Sequence, residues 1–468
     1  MGADRQLQDV IQQGRQFFHN GRTMDVEFRI EALRMFQAGL RRHETKLMEA
    51  LKLDLNKSPF EAYSSEIGML LEEIGIVIKQ LRRWAKPTSV KGSMVLFGAR
   101  GQIYHEPFGQ VLIISPWNYP LLLSLSPLIG AIAAGNTAVL KPSELGAHSA
   151  AAIANLIEDT FNRTYGEGYV SVVEGGVETS TALLAEKFDY IFFTGGTGVG
   201  RVVMEAAAKH LTPVTLELGG KSPCIVHRDA DVKLAAKRIV WGKFLNAGQT
   251  CVAPDYILVH AAVKDELIRH LQEQIIQFFG SKPLEAPQTN LPNIINSRHF
   301  GRLQELLHST KGTIVCGGIT DESRKLIAPT IIDHITWDDT IMAEEIFGPL
   351  LPIISFTDLE QEVIGPVVAR PKPLALYLFS ESDEIHEHIL SRISFGGGCV
   401  NDAVMHLASK HMPFGGVGAS GFGGYHGKSS FDTFSHHKSV LKQTTRFDLP
   451  FRYPTMKNGL TWIKRFMK

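Results

Sequence analysis

The sequence predicts an α/β protein made of two open, mostly parallel α/β domains, with a separate β-arm. Three observations lead there. From Gln110 onward, apolar runs of strand length alternate with helical stretches. Those runs lack polar alternation, as strands buried on both faces should. The chain has 468 residues, more than one hydrophobic core accommodates, so more than one domain is expected.

Each element follows from its local pattern. Phe28, Leu33, Phe36 and Leu40 recur at helical spacing with charges between them, and the same style runs from Leu51 to Trp84. Past Pro87 the chain becomes rich in glycine and β-formers, and 89–105 reads as a hairpin or extended arm. Strands are expected at QVLIISP (110–116), TAVLKP (137–142), YVSVVEG (169–175), YIFFTG (190–195) and VTLELGG (214–220). Helices fill the gaps, including 146–161 and 199–209. A second module begins with SPCIVHR (222–228) and a helix at 231–245, and continues through LPIISF (351–356) and LALYLFS (374–380). The two modules join near 217–221. SHHKSVLK (435–442) reads as a short edge strand. In the tail, Leu460, Trp462, Ile463 and Phe466 stand among Lys457, Lys464, Arg465 and Lys468. That pattern fits a small amphipathic helix, packed on the protein's own surface or touching a membrane surface.

Composition narrows the function. The chain is 44% hydrophobic and 21% charged with zero formal net charge, which argues against disorder and gives no global attraction for nucleic acid. The cysteines Cys224, Cys251, Cys316 and Cys399 form no C-x-x-C pair, and no histidine stands at metal-ligand spacing, so neither a disulfide framework nor a metal site is expected. The N-terminus lacks the apolar run of a signal peptide, and no apolar run is long enough to span a bilayer. A cytoplasmic protein without an integral anchor is expected.

Several stretches have the chemistry of a site. Cys251, in KFLNAGQTCVAPD, follows Gly248 on a loop and is either a nucleophile or a small buried hydrophobe. Glu217, in VTLELGGKSP, ends an apolar strand; a carboxylate there is costly unless paired, with Lys221 the nearest cation, or working. Asn118, in SPWNYP, follows the first strong strand, where open α/β sheets bind ligands; it is an amide donor or a turn residue. Lys141 and Glu144, in LKPSE, fit ribose contacts or a solvated pair. GGTGVG (195–200) opens a helix after a strand, which suits an anion, although it is not the G-x-G-x-x-G spacing. EEIFGP (344–349) and PFGGVGASGFGGYHG (413–427) are too unusual for ordinary loops.

Together and in this order, PWNYP, LKPSE, FTGGTGVG, LELGGKSP, NAGQTCVAPD, EEIFGP and PFGGVGASG resemble the aldehyde dehydrogenase superfamily over about 28–442. KFLNAGQTCVAPDYIL and GYHGKSSFDTFSHHKSVL are similar to its class-three branch, which handles fatty and aromatic aldehydes. The resemblance implies that Cys251 is the nucleophile, Glu217 the general base and Asn118 the oxyanion donor. It implies cofactor contacts from Trp117, Lys141, Glu144, Gly195, Gly196, Thr197, Gly200, Leu218, Glu345 and Phe347. Many relatives carry serine where Gly196 stands, so here only backbone approaches the pyrophosphate. Tyr119, Thr250 and His411 are expected along the substrate tunnel.

The expected activity is NAD(P)-dependent oxidation of medium to long aliphatic or aromatic aldehydes to acids through a Cys251 thioester. NAD is expected to be preferred and NADP tolerated, because the Glu144 charge opposes a 2′-phosphate. Transfer of the acyl group to coenzyme A and a non-catalytic NAD-binding role are the alternatives. The resemblance also implies a cofactor domain (1–216, with 88–106 in a bridging arm), a catalytic domain (217–424), a strand for homodimerisation (425–447) and a tail (448–468). Trp462 or Phe466 is expected to gate long aldehydes.

Overall fold

Polar capping and apolar spacing set the N-terminal helices. The computed structural model describes residues 2–92, 96–285, 291–450 and 453–466. The helix Val26–Leu55 starts where Asp25 accepts the backbone N–H of Glu27 and stops at Asn56, which turns left-handed at φ 54°. It packs with helix Gly68–Trp84 against helix Pro120–Ala134, which is buried along its whole length. Such a helix must satisfy its own hydroxyls. Ser124 pairs with Ser115 at 2.5 Å, and Ser126 donates to Glu73 at 2.6 Å.

The arm comprises β1 (Thr88–Val90) and β2 (Arg100–Pro107), antiparallel, with β18 (Ser435–Lys442) added from the far end of the chain. The first large sheet holds β3 (Gln110–Ile114), β4 (Thr137–Lys141), β5 (Val170–Val172), β6 (Tyr190–Gly195) and β7 (Val214–Leu218), all parallel, in the order β7-β6-β3-β4-β5. The chain steps outward from β3 to β5, then returns to the other side of β3 as β6. This reversal opens a crevice beyond the carboxyl ends of β3 and β6, which is where such sheets bind ligands.

The second sheet uses β8 (Pro223–Val226), β9 (Tyr256–His260), β10 (Thr313–Cys316), β13 (Thr330–Asp333), β14 (Leu350–Phe356), β15 (Ala375–Phe379) and β16 (Gly397–Val400). Only β10 runs antiparallel among them. A two-residue pair, β11 (Thr320–Asp321) and β12 (Leu326–Ile327), lies apart. Then β17 (Gly421–Phe422) returns to the first sheet beside β7, and β18 (Ser435–Lys442) pairs with β2 over eight residues.

The expected junction after residue 216 falls inside β7, and β17 carries the chain back to the first sheet from beyond the second. The second sheet is therefore an insertion between two strands of the first. The helix expected at 146–161 is Ala147–Ile157 followed by a π-turn at Glu158–Asn162, and the one expected at 199–209 begins at Thr197. Strands β9, β13 and β16 are additions to what the sequence patterns foretold. Among the described residues no helix is long and apolar enough to cross a membrane.

Candidate active site

Cys251 owes its place to a tight turn. The helix Val232–Phe244 ends, and Asn246, Ala247 and Gly248 take positive φ values of 51°, 53° and 72°. A Cβ on Gly248 would stand 2.2 Å from the Gly348 carbonyl oxygen, so only glycine fits that crossing. The turn delivers a partly buried Cys251 to the wall of a cavity of about 1070 Å³. Burial, then the nearby carboxylates of Glu345 and Glu217, push its thiol up to about 12.

Asn118 lies just beyond β3, 2% exposed. Its side-chain amide donates to the Gln249 carbonyl at 3.0 Å. An amide has two N–H groups, so one is left for a ligand. Its own carbonyl accepts from Lys57 Nζ at 2.9 Å and from Asn246 Nδ2 at 2.8 Å. The Lys57 ammonium also meets Glu66 at 2.6 Å, with both side chains fully buried, and Glu66 accepts the N–H groups of Leu121 and Leu122. One ion pair thus fixes both the Asn118 loop and the start of the following helix.

Glu217 is 3% exposed, and neither carboxylate oxygen has a hydrogen-bond partner among the described residues. Desolvation raises its carboxyl well above the usual range. The anticipated pairing with Lys221 is absent. Lys221 bonds Asp255 instead, at 2.5 Å, and the carbonyls of Ile341 and Glu344. Asp255 in turn accepts the Ile346 N–H, so this pair holds the loop bearing Glu345 and Phe347.

The other residues expected at the cofactor site fall at or just beyond the carboxyl ends of β3, β4, β6 and β7, in the helix after β6 and on the loop of Glu345 and Phe347. Lys141 is buried at the end of β4, donates to the Pro142 carbonyl at 2.9 Å and lies 3.6 Å from the half-exposed Glu144. Gly195 ends β6, Gly196 caps the helix Thr197–Ala208, and a Cβ at Gly196 would meet nothing within 4 Å. A Cβ at Gly200 would strike Leu218 at 2.6 Å, so this glycine serves close packing of helix on strand. Thr197 reaches across to the Ala419 carbonyl. Trp117 packs edge-on against Phe347, which is held at φ 48°, and against His299. Glu345 is pushed up to about 8 by burial and the Asp255 carboxylate.

Tyr119 and Thr250 line the cavity and are joined by a 2.7 Å hydroxyl pair. His411 does not: it is exposed on the surface, and His426 lines the cavity instead. Both lie in or beside the glycine-rich segment, but the chain turns between them and buries only the second. Trp462 is also absent from the lining, and the side chain of Phe466 lies outside the described residues. Much of the rest of the wall is apolar, including Phe60, Met69, Leu122, Trp241, Phe244, Phe278, Phe279 and Phe414. Glu61, on the same wall, accepts the Asn246 N–H at 2.7 Å. Sequence patterns gave no sign of Lys57, Glu61 or Glu66, since charges between apolar helical positions read as solvated.

The family profile "Aldehyde dehydrogenase family" matches residues 1–440. The chain belongs to the aldehyde dehydrogenase family. It is 48% identical to the Staphylococcus aureus 4,4'-diaponeurosporen-aldehyde dehydrogenase, over 97% of each chain. It is 43% identical to the rat aldehyde dehydrogenase family 3 member A2, over 98% of this chain and 94% of that one. The substrate-bound structure of Staphylococcus aureus AldH superposes with a TM-score of 0.95 at 47% identity, covering 99% of each. This aldehyde dehydrogenase oxidises aldehydes, and its family uses NAD or NADP.

Proposed function

We propose that this enzyme converts long or ring-bearing apolar aldehydes to free carboxylic acids through a thioester on Cys251, with NAD preferred and NADP tolerated. The observation that carries the substrate class is the cavity. At about 1070 Å³ it lies at the upper end of small-molecule sites, its wall is mostly aromatic and aliphatic, and Cys251 is part of it.

The residues present fit a dinucleotide. Gly196 leaves open space before a helix N-terminus, which suits a pyrophosphate. The Lys141 ammonium has three N–H donors and spends few of them within the protein. Glu144 would accept a ribose hydroxyl and repel a 2′-phosphate, which favours NAD. Trp117, Leu218, Glu345 and Phe347 border the same crevice.

The Cys251 sulfur adds to the aldehyde carbon as its proton passes to the nearby Glu217 carboxylate, which hands it on to solvent. The free Asn118 N–H and the Cys251 backbone N–H donate to the oxyanion; one such donor is typically worth ~3 kcal/mol. The bound nicotinamide supplies one thing, acceptance of the hydride. The acyl group remains on sulfur. Glu217 then takes a proton from water, the water oxygen attacks the acyl carbon, and the acid leaves as the thiol is restored. A buried carboxylate without partners suits this role, because desolvation makes it a stronger base.

For assembly, β18 is the strand best placed to join a second copy. It is the outer strand of the arm, and 436–442 are exposed. A thiol nucleophile also needs a reducing compartment, consistent with a cytoplasmic site of action.

The test is NADH production from a long aliphatic aldehyde, with product analysis. Wild type should release free acid without coenzyme A. Cys251→Ala should be inactive, and Glu217→Gln should give one burst of NADH and then stall. Turnover only when coenzyme A is added would overturn the hydrolytic reading.

A further inference from the structure

The fold brings together three metal-ligating side chains that are far apart in the sequence. His105 on β2 and His437 on β18 are directly opposed cross-strand partners, with ring centroids 4.9 Å apart and planes perpendicular. Asp432, in the helix Lys428–Thr433, reaches the same place, its carboxylate 3.8 Å from His437 Nε2. One donor atom from each lies within 4.8 Å of the other two. No sequence pattern points to this cluster, because its members come from three elements rather than from one spaced motif.

We propose that His105, His437 and Asp432 form a binding site for a single divalent transition-metal ion of the zinc type. Two imidazoles and a carboxylate are a donor set that zinc accepts, with water completing a tetrahedron. Zinc–ligand bonds of about 2.0–2.2 Å put tetrahedral donors roughly 3.3 Å apart. Reaching that from the present spacing needs small rotamer changes, which the exposed His437 and half-buried Asp432 can make.

A second observation points to a ligand. Among the described residues, His105 Nδ1 is buried with no hydrogen-bond partner, an uncompensated polar atom on one of the three ligating side chains. One group opposes the metal. Lys428 Nζ bonds both oxygens of Asp432, at 2.7 and 2.5 Å. That lysine side chain is 56% exposed, and an exposed ion pair of this kind is weak enough for a metal to displace. Bound there, the ion would clamp β18 to β2 and to the helix before it, and so stiffen the arm.

The experiment is calorimetric titration of zinc chloride into chelator-stripped protein carrying Cys251→Ala, which removes the active-site thiol as a rival ligand. Binding needs no turnover, so the outcome is separate from the proposed chemistry of Cys251. One zinc per chain is expected. Adding His437→Ala or His105→Ala should weaken it at least tenfold, whereas His388→Ala, a surface histidine beside Glu360 elsewhere, should not. Lys428→Ala should tighten it. Zinc should also raise the thermal midpoint of the intact site and not that of His437→Ala, which is exposed enough to fold normally. Absence of a saturable one-to-one site, or affinity unchanged by His437→Ala, would overturn the proposal.

Discussion

At the scale of single residues, Glu217 has an energetic signature that can be measured apart from catalysis. Its carboxyl is raised in the folded state, so the native protein holds a proton that the unfolded chain releases above about pH 4.3. Stability attributable to this residue therefore falls as pH rises from there toward its folded value. Glu217→Gln should stabilise the protein at pH 8 by on the order of 1–3 kcal/mol, read as a higher thermal midpoint, and the gain should vanish near pH 4. If Glu217 is the base proposed above, the same substitution should also abolish acyl release, which separates it from a merely stabilising change. Gly248→Ala is the opposite case. It places a methyl group on the Gly348 carbonyl and forces a positive φ. Folding studies should show marked destabilisation, and any folded fraction should have lost most of its activity. Candidate residues were readable where chemistry and position coincide: Glu217 lies near the end of a strand, Asn118 follows one, and Cys251 follows a glycine turn at the end of a helix. His411 was misplaced because a one-dimensional motif cannot say which side of a glycine-rich turn faces inward.

At the scale of elements, the pair Lys57–Glu66 connects the helical layer to the β3 loop. It is buried completely, so removing one partner strands a charge. Glu66→Leu or Lys57→Met alone should cost about 3–5 kcal/mol, measured by denaturant unfolding, and lower kcat by loosening Asn118. The double variant should cost less than the sum of the two. The strands around this pair were plain in the sequence because long apolar runs between glycines and prolines have few other uses. The pair itself was hidden. A charge at a helical position reads as surface until another element is known to cover it. Strands β9 and β13 were obscured for a related reason, since Tyr256–His260 and Thr330–Asp333 are short and lie beside segments with mixed periodicity.

At the scale of the whole molecule, the chain weaves its two sheets together, and the arm returns near the end to seal the beginning. Truncation after Thr444 keeps β18, and truncation after Phe434 removes it. Sedimentation should show a dimer for the first and a monomer for the second. The first should also leave chain-length preference unchanged, since Trp462 is not among the residues lining the cavity; a shortened preference would support a gating role for the tail. Sequence patterns conveyed two sheets and an arm but not the insertion of one sheet into the other, because the single short strand β17 makes that connection.

The cavity wall is drawn unevenly from the chain. Phe60, Tyr63, Ser64, Gly68, Met69 and Glu72 all come from one short stretch of helix, broken by a π-turn at Tyr63–Ile67. Cys251, Glu217 and the cofactor crevice lie on other elements. Inheritance can therefore alter the diet of the enzyme by drift within a dozen neighbouring codons while the reacting groups stay untouched. That separation offers a route by which one catalytic plan diversifies across many aldehydes.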